Sequence, residues 1–105
     1  MQARTIAGRA AFFLPLVLAP VSSPAQDAVA SFYKGRQIMI VIGSSAGGGY
    51  DTYGRLLARH LSKHLPGNPG VVAANMPGAA SNTAAAHIMT SAPKDGTQIA
   101  SCSRA

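Results

Sequence analysis

The residues whose types and spacing suit chemistry fall in two short stretches. The first, Ser44, Ser45, Ala46, Gly47, Gly48, Gly49, Tyr50 and Asp51, joins three consecutive glycines to two serine hydroxyls and a carboxylate. Glycines carry no Cβ and tolerate unusual φ, so the backbone there can approach a bound group closely. The second, Asn75-Met76-Pro77-Gly78-Ala79-Ala80-Ser81, repeats the layout with small residues ending on a hydroxyl. Each stretch runs into a helical pattern, and the free N–H groups and partial positive charge of a helix N-terminus suit a carboxylate or phosphate. Neither loop contains Lys or Arg. The chemistry expected is therefore anion capture by backbone N–H groups and hydroxyls at residues 44–50 and 78–81. Bulk at Gly48 is expected to hurt such a site more than loss of the Arg55 charge, which the helical period places on an outer face.

Sharper motifs weaken on their spacing. Gly43 and Gly48 have phosphate-loop spacing, but Gly49 and Tyr50 stand where that loop requires Lys and Ser/Thr. Gly47 and Gly49 open a dinucleotide fingerprint whose third position is Thr52, with no acidic residue among Ala73, Ala74 and Asn75. Gly43-Ser44-Ser45-Ala46-Gly47 does match the nucleophile-elbow pattern after a strand, with Ser45 as nucleophile. An exported serine hydrolase fragment is accordingly the second reading. His60 and His64 stand four apart, as two metal ligands on a helix would, but no Glu follows His60 and no third ligand is evident. No metal or cofactor is expected. His87, among small residues, reads as a partly buried, hydrogen-bonded histidine.

The elements that must position the loops follow from periodicity. Gln37-Ile38-Met39-Ile40-Val41-Ile42 is a near-continuous apolar run, the mark of a parallel strand buried on both faces. Residues 31–36 read as a polar lead-in to it. After the glycines, Asp51 is the expected N-cap of an amphipathic helix. Its Tyr53, Leu56, Leu57 and Leu61 are expected to face the sheet, with Arg55, Arg59 and Lys63 toward water. Pro66-Gly67-Asn68-Pro69 stops that helix. A second strand is predicted at residues 71–74, a second helix at 81–90 and a third strand from Thr97 to Ala100. Strands alternating with helices over short connections imply right-handed crossovers and a parallel sheet in an α/β fold. In such sheets ligands bind beyond the carboxyl ends of the strands, where both loops belong.

Composition and the N-terminus narrow the class. Arg4 and Arg9 precede an apolar run over residues 10–21, long enough for a secretory signal core and too short to span a bilayer. Ser23 and Ala25 then give a cleavable spacing, with Ala28 and Ala30 as the alternative, so residues 1–25 are expected to be removed and the product to be periplasmic. The formal charge is +6, but Lys and Arg form no dense run and aromatic residues are few, which excludes nucleic acid as the expected partner. Cys102 is the single cysteine and has no internal disulfide partner. The chain stops directly after a strand-like run, which reads as truncation, and about 80 residues after cleavage form a marginal core.

Several ordered motifs carry a resemblance: Phe32-Tyr33-Lys34-Gly35-Arg36-Gln37-Ile38, the run from Ala46 through Gly47, Gly48, Gly49, Tyr50, Asp51 and Arg55 to Leu61, Leu65-Pro66-Gly67-Asn68-Pro69, Asn75-Met76-Pro77-Gly78-Ala79 and Pro93-Lys94-Asp95-Gly96-Thr97. Together they resemble the N-terminal part of the solute receptors of tripartite tricarboxylate transporters, the Bug family. The resemblance implies the first βαβαβ part of a two-lobed, type II-like periplasmic binding protein, with the second lobe absent. It further implies a receptor without catalytic residues that closes on di- or tricarboxylates and other small carboxylates and delivers them to a membrane permease. Carried over by residue, the site comprises Ser44, Ser45, Ala46, Gly47, Gly48, Gly49, Tyr50 and Asp51, with Pro77, Gly78, Ala79, Ala80 and Ser81. The family usually has glycine where this chain has Ala80, and its methyl is expected to crowd the approach of an anion.

Overall fold

The computed structural model describes residues 23–103. The expected signal core lies outside these residues, and the Ala25 junction falls in the first turn of α1 (Pro24–Tyr33). The order continues with β1 (Gln37–Ile42), α2 (Gly49–His64), β2 (Gly70–Asn75), a 3-10 turn (Ala79–Ser81), α3 (Asn82–Thr90) and β3 (Gln98–Ser101). Helix α1 takes in residues 31–33, the first half of the stretch expected as a polar lead-in. Pro24 fits its first turn, where no intrahelical N–H is needed.

All strand pairings are parallel in the order β2-β1-β3. The apolar run at β1 is central because only there is each face covered and each edge paired: Ile38, Ile40, Val41 and Ile42 are buried. The register places Ile40 beside Ala73 and Ile99 on one face, and Met39 beside Val72 and Gln98 on the other. Helix α2 covers the first face over β1 and β2, while α3 packs on β3, its His87 Nε2 lying 3.1 Å from Gln98 Oε1. This staggered cover leaves Ile99 bare on one face and Val72 on the other. At the amino end, α1 is tied to the loop before β3 by Tyr33 Oη, which donates to Gly96 O at 3.2 Å. The carboxyl end, where the two glycine-bearing loops emerge, remains open.

The facing of α2 departs from expectation. Tyr53 is 73% exposed, Leu56 and Leu57 are exposed, and only Leu61 of the predicted face is half-buried. The helix docks instead on Asp51, Gly54, Ala58 and Leu61. Small residues win because they let the axis lie closer to the sheet: a Cβ on Gly54 would stand 2.7 Å from Ile42 Cδ1. Close approach helps bury Ile40 and Ile42 of β1 and leaves the large side chains of α2 on the flank.

Candidate functional site

Two loops rise side by side from the carboxyl ends of β1 and β2. Loop 1 (residues 43–48) enters α2, and loop 2 (residues 76–81) enters α3. Among the described residues, the two buried polar side chains are Asp51 and Ser81. Each anchors one loop.

Asp51 is not the N-cap of α2. Gly48 holds that position with extended φ, and Asp51 lies one turn in, where its carboxylate reaches back to the loop. Gly47 N–H donates to Asp51 Oδ2 at 2.9 Å, Arg55 Nε to Oδ1 at 3.0 Å, and Asn75 Nδ2 to Oδ1 at 2.8 Å. The same Asn75 amide nitrogen donates to Ser44 O at 2.9 Å, and Arg55 Nη2 donates to Asn75 Oδ1 at 2.7 Å. The Gly47 N–H, then the Asn75 amide and the Arg55 guanidinium, lower the Asp51 pKa from 3.8 to about 2, against the opposing effect of desolvation. Arg55 therefore does not stand free on an outer face. Half-exposed, it brings a cation to the carboxyl edge beside both loops, a charge absent from the loops' own sequences. An Asp four residues before an Arg was the local signal for the ion pair, whereas Asn75 joins it only through the pairing of β1 with β2.

The glycines of loop 1 divide their roles differently from expectation. Gly47 holds φ +88°, the left-handed region that other residues avoid, whereas Gly48 has φ −84° and a Cβ there would make only ordinary contact with Ser45 O at 3.8 Å. The conformational demand thus sits at Gly47. Ser45, Ala46, Gly47, Gly48, Gly49 and Tyr50 are exposed, and Gly49, Tyr50 and Tyr53 line an open cleft of about 290 Å³. A larger hollow, about 350 Å³, lies against α1 at the opposite end of the sheet among Ala28, Val29, Phe32, Tyr33 and Asp95. The smaller cleft is the one adjoining the loops. Ser44 Oγ is buried without a hydrogen-bond partner.

Loop 2 is built on backbone strain and neutral hydrogen bonds. Ala79, Ala80 and Ser81 take φ of 45°, 51° and 72°, three consecutive left-handed residues without a glycine among them. Ala80 is exposed, so the burden of its methyl is conformational: φ 51° and ψ 48° are the values glycine adopts freely. Ser81 Oγ donates to Gly43 O at 3.0 Å and accepts Ser103 N–H at 2.8 Å. Its one proton is committed to Gly43, so in the 2.6 Å contact between the two hydroxyls Ser103 Oγ is the donor. Ser81 is thereby spent on holding loop 2 against loop 1 and the end of β3, while Pro77, Gly78, Ala79 and Ala80 stay exposed. A Cβ on Gly43 would meet Ser81 Cβ at 2.6 Å, so this contact requires glycine at 43.

The remaining sequence candidates lie apart. His60 and His64 are exposed toward the far end of α2, and His87 is partnered by Gln98. Among the described residues, no group of three or more His, Cys, Asp or Glu side chains is placed to hold a metal, and no helix is long and apolar enough to cross a membrane. No family model matches the chain, and neither a curated protein nor a solved structure matches it.

Proposed function

We propose that this chain is the ligand-binding part of the first lobe of an exported receptor for small carboxylates, of the tripartite tricarboxylate transporter type. In this reading residues 1–25 direct export to the periplasm, a second lobe completes the clamp, and a membrane permease receives the cargo. The observation that carries it is the Ser44 hydroxyl. It is a buried polar atom left unsatisfied within a glycine loop, at the end of the sheet where α/β proteins bind ligands. A carboxylate oxygen accepts such a hydroxyl proton, and the N–H groups opening α2 supply the complementary potential. Arg55 adds a fixed positive charge, held at the carboxyl edge by Asp51 and Asn75.

The hydrolase reading finds less support. An elbow turns directly into its helix, whereas α2 begins four positions after Ser45. Among the described residues, no histidine or carboxylate hydrogen-bonds the Ser45 hydroxyl, although a serine nucleophile needs an adjacent base.

Calorimetric titration with succinate and citrate tests the proposal on wild type and Ser44→Ala. Because Ser44 Oγ has no partner to lose, the variant should keep its stability within about 0.5 kcal/mol. Its carboxylate binding should weaken by roughly tenfold, the worth of a hydrogen bond to a charged group. Undiminished binding by Ser44→Ala would remove the supporting observation. Labelling of Ser45 by a fluorophosphonate would favour the hydrolase instead.

A further inference from the structure

We infer that Asn75 is a positioning residue that sets the spacing of the two loops for a carboxylate, an inference that rests on the receptor reading. Asn75 is the last residue of β2 and the root of loop 2, yet its side chain is committed to loop 1 and to α2. One amide proton goes to Ser44 O, the other to Asp51 Oδ1, and its oxygen accepts from Arg55. Only a primary amide of this length offers two donors and an acceptor from one planar group. The Ser44 carbonyl it fixes belongs to the residue whose hydroxyl is unpartnered. The Asp51 carboxylate it steadies in turn holds Gly47 N–H, at the glycine with left-handed φ. Asn75 itself need not touch the ligand. It transmits the position of the β2 terminus to the donors of loop 1, so that the two loops present their groups at one separation.

The charged groups on this network are Asp51 and Arg55, both from α2; loops 1 and 2, β1 and β2 contribute none. That simplicity gives a test which overall loss of stability does not imitate. In Asn75→Asp, an ionised carboxylate at 75 supplies no donor and repels Asp51. Two carboxylates so close bind a shared proton more readily than either alone, against the opposing pull of the one Arg55 guanidinium that both contact. The protonated form again donates to Asp51 and accepts from Arg55, so lowering the pH rebuilds part of the network.

Succinate and citrate are titrated into the full chain at pH 8 and pH 5, for wild type, Asn75→Asp and Asn75→Ala. The folded fraction is measured by circular dichroism at each pH, and each affinity is divided by that of wild type at the same pH, which cancels ionisation of the probe. Asn75→Asp should bind about tenfold more weakly than wild type at pH 8 and within about threefold at pH 5, while Asn75→Ala stays about tenfold weak at both. Wild-type affinity in Asn75→Ala, or an Asn75→Asp deficit identical at the two pH values, overturns the positioning role and leaves the receptor reading standing. Absence of binding by wild type itself overturns the receptor reading, and the inference falls with it.

Discussion

The two loops at the carboxyl edge each bury one polar side chain and hold themselves in opposite ways. Loop 1 leans on charge: a carboxylate at Asp51 gathers a backbone N–H, an amide and a guanidinium, and one glycine takes the left-handed turn. Loop 2 leans on a neutral hydroxyl at Ser81 and pushes three residues with side chains through left-handed φ. The first arrangement relaxes the backbone and concentrates electrostatics; the second stores strain and has no titratable group. Loop 1 should therefore respond to pH and to changes at Asn75, and loop 2 to backbone substitutions and packing.

The comparison breaks most severely at the seam between the loops. Gly43→Ala drives a methyl into Ser81 and should destabilise the fold by about 1–3 kcal/mol, read as a fall in the denaturant midpoint. An unchanged midpoint would mean that loop 2 does not press on loop 1. Gly47→Val should cost about 1–2 kcal/mol through φ alone, since a Cβ there meets nothing within 4 Å, and Gly48→Val should cost clearly less in the same assay. Ser81→Ala strips a partner from Gly43 O and from Ser103 N–H; unfolding measurements should place its cost at about 1–2 kcal/mol.

Acid should separate the loops without any mutation. The Asp51 pKa is depressed to about 2 from 3.8, so the contribution of its ionised form is complete above pH 3.8 and is lost as pH falls toward 2. By nuclear magnetic resonance, the Gly47 amide should hold its shift from pH 8 to pH 4 and move below that. The Ser103 amide, bonded to Ser81 Oγ, should stay nearly constant over the same range. A Gly47 midpoint near pH 5 would contradict the network. The smallest effect sharpens the comparison from the other side: Ala80→Gly should raise stability by up to about 1 kcal/mol, because glycine adopts φ 51° without penalty.

Much of the scaffold was legible because the sequence repeats its message at several levels. The bounds of β1 follow from an unbroken apolar run, and the end of α2 from stacked prolines and a glycine. The parallel alternation that puts both loops at one edge was legible for the same reason. The facing of α2 was not, since hydrophobic periodicity ranks leucines above glycine and alanine, whereas the approach distance to Ile42 favours the small side chains. Helix α1 escaped because residues 24–33 carry a weak apolar pattern next to the segment expected to be a signal. The Asp51, Arg55 and Asn75 cluster was hidden for a different reason: Asn75 meets Asp51 only after the parallel pairing of β1 and β2 is known.

That pairing governs how fast the molecule can form. Every strand contact here closes a crossover: Gln37 must find Gly70, and Met39 must find Gln98 almost sixty residues downstream. Among the described residues, no hairpin offers a local start. The shorter β1-α2-β2 closure loses less chain entropy and should precede the docking of β3, with the intrinsic helicity of α2 shortening the search. The Ser103 half of the Ser81 latch cannot close until β3 has arrived, because Ser103 lies two residues beyond the end of that strand. Loop 2 should therefore be the last part of the edge to be set, and its Ser103 contact the last to be protected from hydrogen exchange during refolding.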